Sequence, residues 1–84
     1  MKLYARRVNM RGPYHGDFAP WYNNVQRAAR NEIVKARLEV SVPLLWNKMH
    51  ELVLPYIMED EPGLYMSYVE VPEEEVSLFL LRWS

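Results

Sequence analysis

Between residues 18 and 40 apolar side chains return every three or four positions: Tyr22, Val25, Ala29, Ile33, Ala36 and Val40. That spacing matches the 3.6-residue turn of an α-helix, and it commits a long stretch of chain to one amphipathic helix with a stripe to bury. The helix is predicted over 18–39. Asp17 stands where an N-cap would accept a free backbone N–H, and Pro20 falls in the first turn, where its missing N–H does no harm. Alanines in the stripe allow close approach of a neighbour. Arg27, Arg30 and Arg37 follow one flank, with Val34 among them.

A second helix is predicted from a cap at Ser41, with Pro43 just inside it. Leu45, Met49, Leu52 and Tyr56 form its stripe, widened by Trp46 and Val53, and Pro55 limits its end. Residues 2–10 have strand composition, residues 11–19 read as a loop punctuated by Gly12, Pro13 and Gly16, and residues 59–63 read as a turn. Two further strand-like runs, 64–71 and 76–83, flank Pro72 and three glutamates, so a β-hairpin with an acidic loop is preferred. The competing reading makes 73–83 a helix with Pro72 at its start. The expected fold is a single α+β domain ordered β-α-α-β-β, with a three-stranded, mainly antiparallel sheet and two helices packed on one face.

With 84 residues and no cysteine, such a domain must hold itself together by packing or by self-association, and it suits a reducing, cytoplasmic setting. No apolar run follows the first charged residues, so no secretory leader is expected. The longest apolar run, at residues 78–81, is far too short for a membrane span, and no membrane partner is expected. Small size and aromatic richness suit an accessory protein of viral or mobile-element type.

The net charge of −1 conceals a split. Residues 1–50 carry nine basic and three acidic side chains; residues 51–84 carry one basic and eight acidic. A surface of that kind steers charged partners. Arg6, Arg7, Arg11, Arg27, Arg30 and Arg37, with Tyr4, Tyr14 and Trp21 near some of them in sequence, could neutralise phosphates and stack on bases. No nucleic-acid-binding motif accompanies them, and a solvated helix flank with ion pairs to the acidic half is the preferred account. Glu59, Asp60, Glu61, Glu70, Glu73, Glu74 and Glu75 lack calcium-loop spacing and read as solvated turns.

His15 and Asp17 could pair as a base and its orienter, but no nucleophile accompanies them, and two histidines 35 positions apart form no metal motif. His50 is expected to be exposed, and the three tryptophans to anchor the core. No enzyme activity, cofactor or metal is expected. In the hairpin reading neither strand alternates cleanly between apolar and polar residues, and two helices can cover only one sheet face. The other face would either be covered by loop 11–19 and the termini or present aromatic groups to water, a pattern that marks interfaces. A non-enzymatic protein-binding module, of inhibitor or adaptor type, is therefore expected, using Tyr65, Tyr68, Phe79 and Trp83 with Glu73 and Glu74. Its partner would be another protein or a second copy in a homodimer. Nucleic acid is the alternative partner.

Overall fold

The computed structural model describes residues 1–6, 17–61 and 66–84. In chain order these form β1 (Lys2–Tyr4), α1 (Pro20–Lys35), α2 (Val42–Leu52), β2 (Met58–Glu61), β3 (Met66–Glu70), a 3₁₀ turn (Glu73–Glu75) and α3 (Val76–Arg82). The sheet is antiparallel and ordered β1-β3-β2. The class is α+β with a three-stranded sheet.

Two assignments change within that class. Residues 76–82 are helical, as in the competing reading, and the third strand is Met58–Glu61, in the segment read as a turn. β3 is the central strand and both its edges are occupied, by β1 and β2. A strand at 76–83 would have no free edge of β3 to join. Released from the sheet, 76–83 gains from a helix instead: Glu73, Glu74 and Glu75 stand at its positive N-terminal end, and Val76, Phe79 and Trp83 recur at helical spacing on the side facing the core.

α1 buries Trp21, Val25, Ala29 and Ile33, so its stripe begins one position before Tyr22 and stops short of Ala36 and Val40. Its N-cap is Ala19, with no side-chain cap bond, rather than Asp17. The helix also stops earlier than expected. Arg37 takes a left-handed φ of 58°, its N–H donates to Val34 O, and Leu38 N–H donates to Ile33 O. These two bonds make a Schellman cap built on arginine where glycine is usual. In α2 the expected cap is present: Ser41 Oγ accepts from Leu44 N–H at 3.3 Å.

Cross-strand neighbours share a sheet face, so Leu3, Val69 and Met58 line up on one side. Met58, Val69 and Val71 meet Trp21, Val25 and Ala29 of α1, Met49 of α2, Val53 and Phe79 of α3 in one core. Trp21 is fully inside; Trp46 and Trp83 are half-buried against the same core. Trp83 is tied down by Asn24, whose amide donates to its carbonyl at 2.7 Å, and by the Arg82 guanidinium over its ring.

Candidate docking surface

The opposite sheet face is built from Lys2, Tyr4, Glu59, Tyr68 and Glu70, and it seals its own aromatic groups. Tyr68 is only 9% exposed. The Lys2 ammonium lies 4.8 Å from the centre of its ring, the Tyr4 ring packs at 5.8 Å, and its hydroxyl donates to Glu59 Oε2 at 2.9 Å. That bond, with partial burial and the charge of Glu59, raises the Tyr68 phenol above its ordinary range. Lys2 donates to Glu61 at 3.0 Å, which raises the lysine in turn, and Ser67 Oγ donates to Asp60 at 3.0 Å. Each carboxylate of β2 thus receives a donor from another strand of the sheet, rather than solvating a turn.

An open groove of about 500 Å³ runs along this face, lined by Lys2, Pro55, Tyr56, Ile57, Glu59, Tyr68 and Glu70. Its phenols are committed. Tyr56 OH donates to Glu75 at 3.0 Å, and burial followed by that bond raises its pKa. Among the described residues no cluster of histidine and carboxylate side chains could hold a metal ion, and no helix is long and apolar enough to cross a membrane.

The residues expected at a protein interface are divided by the structure. Phe79 is 4% exposed, edge-on to Trp21 and Tyr56, and is core. Tyr68 and Trp83 are held as described above, Glu73 and Glu74 are exposed, and Tyr65 lies outside the described residues. What faces water instead is the other side of α3: Leu78 is 69% and Leu81 71% exposed, one helical turn apart, with Leu80 beside them at 41%. Sequence reasoning missed this pair because it treated 76–83 as a strand, in which Leu78 and Leu81 fall on opposite faces. The helical spacing of Val76, Phe79 and Trp83 was the available signal.

The arginines also divide. Arg7 and Arg11 lie outside the described residues, as does His15, the proposed partner of the exposed Asp17. Arg6 stacks its guanidinium 4.4 Å from the centre of the Phe18 ring. Arg27, Arg30 and Arg37 are exposed along α1 and its end, and among the described residues no ion pair involves them. All the acidic residues of the chain are described, so the ion pairs expected between this flank and the acidic half do not form. Glu32 and Glu51 go to Lys48 instead. His50 is half-buried rather than exposed, packed edge-on against Trp46 at 4.7 Å.

No protein-family model, curated protein or solved structure matches this chain.

Proposed function

We propose that this chain is a non-enzymatic protein-binding module of inhibitor or adaptor type that docks through the outer face of α3. The observation that carries this reading is the helix's double-sided character. One side, with Phe79, is core; the other exposes Leu78 and Leu81 within one turn, beside Glu73 and Glu74. Single exposed leucines are ordinary on protein surfaces. A short helix apolar on both sides is a different matter, because it leaves an apolar strip that a partner can take out of water. Binding would be by occlusion: the leucines lose water, and the glutamates steer a partner with a basic rim. A cysteine-free chain fits action in the cytoplasm.

The test is affinity capture from the native source, with nuclease treatment, by the parent protein and by a Leu78→Glu/Leu81→Glu variant. Both must show the same circular dichroism spectrum. A protein retained by the parent and lost by the variant supports the reading. Equal retention by both removes α3 from it.

A second reading, nucleic-acid binding along α1, is favoured by one observation: Arg27, Arg30 and Arg37 meet no carboxylate of their own chain. It predicts binding that weakens steeply with salt and with each Arg→Ala change. Salt-insensitive binding, or none, dismisses it.

A further inference from the structure

Seven of the exposed large apolar residues lie in two segments of opposite charge. Val34, Leu38, Val40 and Val42, the last 81% exposed, mark the turn between α1 and α2, with Arg30, Lys35 and Arg37 around them. Leu78, Leu80 and Leu81 mark α3, with Glu73 and Glu74 at its start. The first segment contains Glu39 as well, but the basic residues outnumber it, and Glu32 is paired with Lys48. The two segments are held apart. α3 is pinned to the beginning of α1 by the Trp21–Phe79 ring contact at 5.5 Å and by Asn24. From Asn24 to Val34 the helix rises roughly 15 Å, at about 1.5 Å per residue. One chain therefore carries an apolar, basic end and an apolar, acidic end that lie apart.

We propose that the occupant of α3 is a second copy of this chain, whose α1–α2 turn seats on Leu78 and Leu81 while Arg30 and Arg37 face Glu73 and Glu74. This rests on the reading of α3 as a docking surface and names its partner. The contact joins two different patches, so it is heterologous: a joined pair keeps one free patch of each kind, one on each copy, and assembly proceeds head-to-tail into a ring or an open chain. Arg37 fits this role. A glycine would close the Schellman cap without the crowding that a left-handed φ imposes on a residue with a Cβ. The arginine keeps a positive charge on the turn despite that strain.

The test is sedimentation velocity over a range of concentration and salt. The parent is expected to gain mass with concentration and to lose it as salt rises. Arg30→Glu/Arg37→Glu and Leu78→Glu/Leu81→Glu are each expected to be monomeric alone. Mixed, they are expected to stop at a heterodimer, since one intact junction remains and the other sets acid against acid. Arg37→Gly keeps the fold, with a melting temperature equal to or above the parent's, and is expected to weaken assembly. A parent that stays monomeric at its highest soluble concentration in low salt overturns the proposal, as does a basic-end variant that dimerises by itself. If α3 leucines are still needed to capture another protein from such a monomer, the docking reading stands and only the choice of partner fails.

Discussion

β2 and α3 are built from the opposite materials of what their conformations suggest. β2 has three acidic residues in four and is a strand; 76–83 has six apolar residues in eight and is a helix, with its ends at Val76 and Arg82. The difference lies in what each segment can pair with. β2 sits at a sheet edge, where one side of its backbone bonds to β3 and its carboxylates take donors from Tyr68, Ser67 and Lys2. Charged residues suit an edge, because they discourage further strands from adding there. The 76–83 segment finds both edges of β3 taken, satisfies its backbone internally as a helix, and uses Phe79 to close the core over Trp21 and Tyr56. Strand composition is thus a poor guide where both edges of the central strand are already taken.

That contrast can be broken most sharply at Phe79. Phe79→Ala should cost about 3–5 kcal/mol in a denaturant melt, since it removes a buried ring from the centre of the core. A loss under 1 kcal/mol would mean that α3 does not close the core. Met58→Ala tests β2 in the same way, and a loss of about 2–5 kcal/mol is expected because Met58 is the one β2 residue sunk among Val69, Val53 and Met49.

The polar side of β2 is read by alkaline titration of tyrosine absorbance. The Glu59 bond holds the Tyr68 phenol in its neutral form above the ordinary value of 10.0. A raised folded-state pKa gives stability that is complete below the unfolded value, so it should be lost as pH climbs past 10 toward the folded value. Glu59→Gln should move that titration back toward the ordinary value, and an unchanged curve would dissociate Tyr68 from β2. The smallest effect separates helix from strand at α3 directly. Leu81→Ala should change stability by no more than about 0.5 kcal/mol, whereas a strand would place Leu81 on the same face as Phe79 and make the change costly.

Much of the helical half was legible in the residues. The i, i+4 spacing of Val25, Ala29 and Ile33 located α1, and Ser41 followed by Pro43 located the start of α2. The strand composition of 64–71 located β3. The end of α1 was not legible, because arginine carries no signal for a left-handed cap, nor was its start, because Ala19 offers no capping oxygen. The interface residues fared least well. Tyr68 and Phe79 were chosen for being aromatic, and large rings are what a small core takes first. Leu78 and Leu81 carried no mark of exposure until the helix turned them outward.

By itself the sequence determined the class, the two long helices and the central strand, because periodicity and caps are local properties that a chain carries wherever it folds. Tertiary structure decided which segment completed the sheet and which side of 76–83 met water. An edge strand is defined by the neighbour it bonds, and a helix apolar on two sides is oriented only by the core it is fitted against.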